Sequence, residues 1–345
     1  MRRGRARLCG VLPTIAFALA GCGGSQAPAR LHVWPGSAAT HPGHGPGHLS
    51  IATDSAALPL NLLIAQQDGR LVSVSPRGQV VWRERQSDPG AVFVSRTGRT
   101  EIVTEPRESL VVMRRIDSGA VAYVYGRRGL PGSGRDHLRD PQTALETASG
   151  EVVVADRGNC RVLLIRPSSH RAFAELGTPG DCAHDPPHKF AEPGAAFPAA
   201  DGELVVTEER PASVDVLSAS GQLLAGLRRP TLAAPSEANA YSAADLIVSD
   251  RTKPGHVLEL DWRTGKVLWS FGPRSGPGEL DQPTLARVLP DGNVLVVDSG
   301  NDRVIVIDRA SKTIVWQYGH SGVAASRPGY LDRPTTATLV PLGGI

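Results

Sequence analysis

Several signatures are missing from this chain of 345 residues, and each absence excludes a class. Cysteine is scarce, with four in all and no C-x-x-C spacing, so neither a dithiol redox motif nor a cysteine zinc cluster is indicated. No G-x-S-x-G, H-E-x-x-H or phosphate-cradling glycine loop appears, which removes the common signatures of serine hydrolases, zinc peptidases and nucleotide-binding enzymes. The apolar run at residues 8–20 is too short to cross a bilayer comfortably. Beyond it, no amphipathic helical period competes anywhere. A basic stripe is also lacking. The formal charge is +3, and removing Arg2, Arg3, Arg5 and Arg7 leaves about −1. That argues against a phosphate backbone as partner, and no nucleic acid is expected.

What is present begins at the N-terminus. Those four arginines precede the apolar run, which ends in Leu19-Ala20-Gly21-Cys22. The order of basic segment, apolar segment and small residues before a cysteine resembles a bacterial lipobox. The resemblance implies a signal peptide at residues 1–21, lipid attached to Cys22, and a protein held in the cell envelope outside the cytoplasm, with the membrane as a partner through that anchor. Residues 22–48 are rich in Gly, Pro, Ala, Ser and His and read as a flexible tether. The folded domain is expected over residues 49–345. Cys9 leaves with the signal, so Cys160 and Cys182 remain. In an oxidising compartment two cysteines are expected to pair, the alternative being two free buried thiols.

Residues 49–345 repeat themselves. The clearest copies are Asp156-Arg157-Gly158-Asn159-Cys160-Arg161 and Asp298-Ser299-Gly300-Asn301-Asp302-Arg303, each between two β-branched runs. Further apolar runs end in Glu105, Glu208 and Asp250, and a sixth ends in Gln66. Closing runs follow around Trp82, Tyr123, Phe173, Leu224, Trp269 and Trp316, and repeat lengths of 41 to 51 residues suit a propeller blade. Pairs such as Ser149-Gly150, Asp291-Gly292 and Ser118-Gly119 mark hairpin turns between the runs. The segment from Tyr330 to Pro341 matches the first strand of the preceding repeat, from Glu279 to Pro290, and then the pattern stops. The prediction is therefore an all-β fold: a six-bladed β-propeller of four-stranded antiparallel blades. Its C-terminal strand, at residues 335–340, should pair with residues 62–65 and complete the first blade.

The Asp156 and Asp298 elements resemble the NHL repeat. Asp261-Trp262-Arg263-Thr264-Gly265-Lys266-Val267-Leu268-Trp269 is similar to the tryptophan-docking motif of quinoprotein-like propellers, with weaker copies ending in Trp82 and Trp316. The resemblance implies architecture and says little of activity. It implies no quinone, and no cofactor is expected. Glu105, Asp156, Glu208, Asp250 and Asp298, with Arg161 and Arg303, have two readings. They either lock each bend through hydrogen bonds and ion pairs, the preferred reading, or ring the channel mouth as a ligand-binding face. His137, His184, His188, His256 and His320 fall on loops and are weak candidates for a metal, in a pattern that matches no recognised ligand set. Catalytic residues are not indicated. The expected function is a non-catalytic binding scaffold for a protein, glycan or small molecule. The alternative is an extracytoplasmic propeller enzyme: a metal-dependent lyase, a lactonase or a sulfotransferase-like protein.

Overall fold

In a computed structural model, residues 58–86 and 89–340 are described; the signal segment, Cys22 and the tether lie outside them. Twenty-four strands form six four-stranded antiparallel sheets. Blade 1 holds Pro334–Val340, Asn61–Gln66, Arg70–Val74 and Val80–Arg85, in that spatial order. Blade 2 holds Val92–Val94, Thr100–Glu105, Leu110–Arg115 and Val121–Gly126. Blade 3 holds Pro141–Glu146, Val152–Asp156, Arg161–Arg166 and Arg171–Leu176. Blade 4 holds Pro193–Pro198, Leu204–Glu208, Ser213–Leu217 and Leu223–Leu227. Blade 5 holds Pro235–Ala240, Asp245–Asp250, His256–Asp261 and Lys266–Phe271. Blade 6 holds Pro283–Val288, Val294–Asp298, Arg303–Asp308 and Thr313–Gly319. The fold is the six-bladed propeller that the repeats predicted.

Burial explains the composition of each strand. The second strands are covered on both faces by neighbouring blades, so Val152–Asp156 and Val294–Asp298 are buried at every residue and read as unbroken apolar runs. Fourth strands lie at the rim, where Val121, Val267 and Leu268 are exposed. Apolar packing forms seams between blades. Val153, Phe190, Ala196 and Leu217 join blades 3 and 4, while Ile247, Val257, Val296 and Ile305 join blades 5 and 6. Each of the larger of these side chains, the valines, leucine, isoleucines and phenylalanine, contributes roughly 1.5–3 kcal/mol through burial.

Ring closure is a matter of register. Leu62 faces Leu339, Ile64 faces Ala337 and Ala65 faces Thr336, so the C-terminal strand becomes the innermost strand of blade 1, as predicted. The docking tryptophans add a second clasp. Trp269 Nε1 donates to Arg309 O of the next blade at 2.9 Å, and Trp316 Nε1 donates to Pro76 O, across the closure, at 2.9 Å. Glycine is required where the fourth strands of blades 2 and 6 end against the start of the third. A Cβ at Gly126 would lie 2.2 Å from Ser109 O, and one at Gly319 would lie 2.3 Å from Asp302 O.

Cys160 and Cys182 form a disulfide with Cα atoms 5.2 Å apart. It ties the loop between blades 3 and 4 to the bend of blade 3.

Candidate functional site

The recurrent acids sit inside the bends. Asp156, Glu208 and Asp298 are fully buried, and Glu105 and Asp250 nearly so. Asp298 Oδ1 accepts the Asp281 N–H at 2.8 Å, while Oδ2 accepts from Asn301 Nδ2 at 2.9 Å and Arg303 Nε at 2.8 Å. Asp156 repeats this with Arg139 N, Asn159 and Arg161. Arg161 and Arg303 then donate to carbonyl oxygens of the preceding loop, at Ser133, His137, Pro277 and Glu279. Glu208 accepts Ala191 N, Asp250 accepts Ala233 N and Ala234 N, and Gln66 accepts Asp332 N. Glu105 pairs with Arg128 at 3.2 Å. In five blades, then, the residue closing the second strand holds the loop that leads into the first. Burial raises the carboxyl pKa of Asp156 and Asp298, and their hydrogen-bond donors oppose that shift.

The channel mouth is made by a different set of residues, which the repeat pattern did not single out. A polar cavity of about 210 Å³ is lined by one in-register residue from each first strand or its approach: Gly90, Gln142, Gly194, Ser236, Thr284 and Thr335. Hydroxyls stitch this collar together. Thr104 Oγ1 donates to Gln142 O, Ser236 Oγ to Pro283 O and Thr284 Oγ1 to Thr335 O, while Thr143 Oγ1 and Thr336 Oγ1 accept the Ala196 and Val92 N–H groups. Around the collar, Arg157, Glu209, Arg251 and Arg333 face the opening, with Arg251 paired to Glu209 at 3.1 Å.

Beneath the collar the axis is plugged. The Arg287 guanidinium of blade 6 lies 4.9 Å from the Phe93 ring of blade 2 and 5.2 Å from the Phe197 ring of blade 4. The two rings meet edge to face at 5.5 Å. Side chains from three alternate blades can meet only on the central axis. Glu237, 4% exposed, lines the cavity floor above them, with Oε1 3.8 Å from Arg287 and without a hydrogen-bond partner. Burial pushes the Glu237 carboxyl up to about 8, against the pull of Arg287, and lowers the Arg287 pKa. A larger cleft of about 330 Å³ lies to the side, between blade 1 and the loop carrying Arg327 and Tyr330. Its Arg70 is held by Asp68 at 2.5 Å and by Ala325 O, and its Arg327 by Tyr330, so it reads as an inter-blade seam.

His137, His184, His188 and His320 lie on loops as expected, whereas His256 opens the third strand of blade 5, and the five do not converge. His137 Nδ1 bonds Arg135 O, His188 is exposed, His256 approaches Thr252 and His320 stacks on Tyr330. Only His184 meets acids. Its Nδ1 lies 3.0 Å from Glu208 Oε1, its Nε2 lies 2.6 Å from an Arg228 nitrogen, and Asp215 completes the group. Burial pushes Glu208 up to about 7 and Asp215 up to about 6, and it lowers the His184 pKa. Sequence reasoning missed Asp215. The available signal was Ser213, which pairs with Glu208 where Arg161 and Arg303 pair with Asp156 and Asp298.

Fold and repeats together define a six-bladed β-propeller. Residues 253–337, which carry both docking tryptophans, match the family model described as outer membrane protein assembly factor BamB. A search of curated proteins found no match. Among solved structures, a protein of unknown function from Bacteroides caccae is 15% identical with a TM-score of 0.62, covering 82% of this chain and 99% of that one. Hydrazine synthase from Kuenenia stuttgartiensis is 14% identical with a TM-score of 0.53, covering 72% and 76%. Virginiamycin B lyase from Staphylococcus aureus is 14% identical with a TM-score of 0.52, covering 77% and 85%. At such identities the likeness is one of fold.

Proposed function

We propose that this protein is a lipid-anchored propeller of the cell envelope that binds a polar ligand, without chemistry, over the mouth of its closed channel. The observation that carries the reading is the plugged axis. Phe93, Phe197 and Arg287 close the channel beneath a shallow polar collar, which makes a docking surface in place of a deep reaction chamber. The recurrent acids are engaged by backbone N–H groups and arginines, so they serve the bends. The lipobox-like Leu19-Ala20-Gly21-Cys22, the disulfide and the match of residues 253–337 to an outer-membrane assembly factor family all support an envelope location.

The test has two arms. Cys22→Ser should release the protein from the membrane fraction, and unchanged fractionation would refute the anchor. A photo-crosslinking residue placed at Gln142 or Arg251 should capture a discrete species in intact cells. The same residue at Val121 or Leu268, on the outer strands, should not. Capture from the outer strands alone would refute the mouth as the binding face.

A further inference from the structure

The geometry points to a divalent metal site in blade 4, formed by His184 Nδ1 and the carboxylates of Glu208 and Asp215, for a borderline cation of the zinc class. The site arises where this blade departs from the repeat. Ser213 stands where Arg161 and Arg303 stand in blades 3 and 6, so the buried acid Glu208 lacks the arginine that Asp156 and Asp298 have. Two residues further on, Asp215 occupies a position that Val72, Val112, Leu163, Leu258 and Ile305 fill in the other blades, all of them buried. An acid has replaced an aliphatic side chain at a fully buried register position. Its Oδ2 accepts from Ser213 Oγ at 3.0 Å, but its Oδ1 has no hydrogen-bond partner. A buried carboxylate oxygen left unpaired is costly, and a cation is the partner that would satisfy it.

The donors are already gathered. One ligand atom each from His184, Glu208 and Asp215 lies within 4.8 Å of the others, and the 3.0 Å between His184 Nδ1 and Glu208 Oε1 suits two ligands sharing a metal at bonds of about 2.0–2.2 Å. One nitrogen and two carboxylate oxygens suit zinc, with water able to complete the shell. Preorganisation comes from the loop. The Cys160–Cys182 disulfide fixes it two residues before His184, and fully buried Phe190 anchors it six residues after. Room beside Asp215 comes from Gly226, its cross-strand partner, where a Cβ would lie 3.0 Å from Asp215 Oδ1.

Arg228 is the competitor. It occupies the position at the end of the fourth strand that is Gly177 in blade 3 and Gly319 in blade 6, it is exposed, and it donates to His184 Nε2. A metal on Nδ1 would put the ring proton on Nε2, which repels that donor, so the arginine must swing into solvent on loading. It acts as a stand-in cation for the metal-free state.

The experiment is calorimetric titration of the intact, EDTA-treated protein with zinc chloride, together with its melting curve. Residues 22–48 also contain histidines, so the quantity read is the difference between variants. Asp215→Asn and His184→Gln should each bind one equivalent fewer than the wild type and lose the zinc-induced rise in Tm. Arg228→Ala should keep that equivalent and bind it several-fold tighter. Equal stoichiometry in wild type and Asp215→Asn would overturn the site. So would loss of the equivalent in Arg228→Ala, which would show instead that Arg228, His184 and Glu208 form a purely internal relay.

Discussion

Asp298 and Glu237 are both buried carboxylates, and their surroundings give them different roles. Asp298 accepts from a backbone N–H, an amide and a guanidinium, and so fixes a bend. Glu237 has one loose cationic neighbour at 3.8 Å and an unpaired oxygen facing the cavity. Its pKa, raised to about 8 from 4.5, means the folded state holds a proton there that the unfolded chain has released. Stability attributable to Glu237 is therefore complete below about pH 4.5, falls as the pH rises toward 8, and is level above that. Glu237→Gln should match the wild type near pH 4.5 and exceed it at pH 8 by on the order of 4 kcal/mol. Urea denaturation of both proteins across this range measures the difference; a gap that does not change with pH would show that Glu237 is ionised when folded. Nothing in the sequence marks this residue. The first-strand tier just below it carries Thr338, Phe93, Leu145, Phe197, Asn239 and Arg287, one per blade. Five residue types at six positions leave no consensus, because what matters on the axis is how they jointly fill it.

Strands and turns were far more legible, for the opposite reason. The Asp-x-Gly-Asn-x-Arg element does the same job in blades 3 and 6, so its spacing survives in both copies. The tryptophan motif likewise encodes a contact with the next blade's turn. Blade 4 was harder to read because Ser213 and Asp215 replace the pattern instead of repeating it. The docking bonds carry a quantitative expectation. Trp316→Phe removes the donor to Pro76 O while keeping an aromatic ring in the seam, and should cost about 1 kcal/mol, more if the carbonyl finds no water. Trp269→Phe removes the equivalent bond to Arg309 O and should cost about the same. Urea midpoints with unchanged m-values would show both; a negligible loss at either position would mean that ring packing alone supplies the clasp.

At the scale of the whole molecule, the ring is held shut by one strand from the far end of the chain. Pro334–Val340 pairs along the full length of Asn61–Gln66, and Thr336 also accepts a hydrogen bond from Val92 of blade 2. From the other side, Thr284 of blade 6 donates to Thr335 O, so this strand is bonded to three blades at once. Its removal would bare the backbone edge of Asn61–Gln66, a strand otherwise almost wholly buried, together with the inner faces of blades 2 and 6. Chain termini normally tolerate truncation because few contacts depend on them, and this one is the exception that ring closure creates. Deleting residues 330–345 should therefore abolish cooperative unfolding or drive aggregation, read by size-exclusion chromatography and a melting curve. A truncated protein that stays monomeric with an unchanged transition would mean that blades 1 and 6 hold each other without the strand. Trp316, whose bond to Pro76 crosses the same junction, would then be the clasp to remove next.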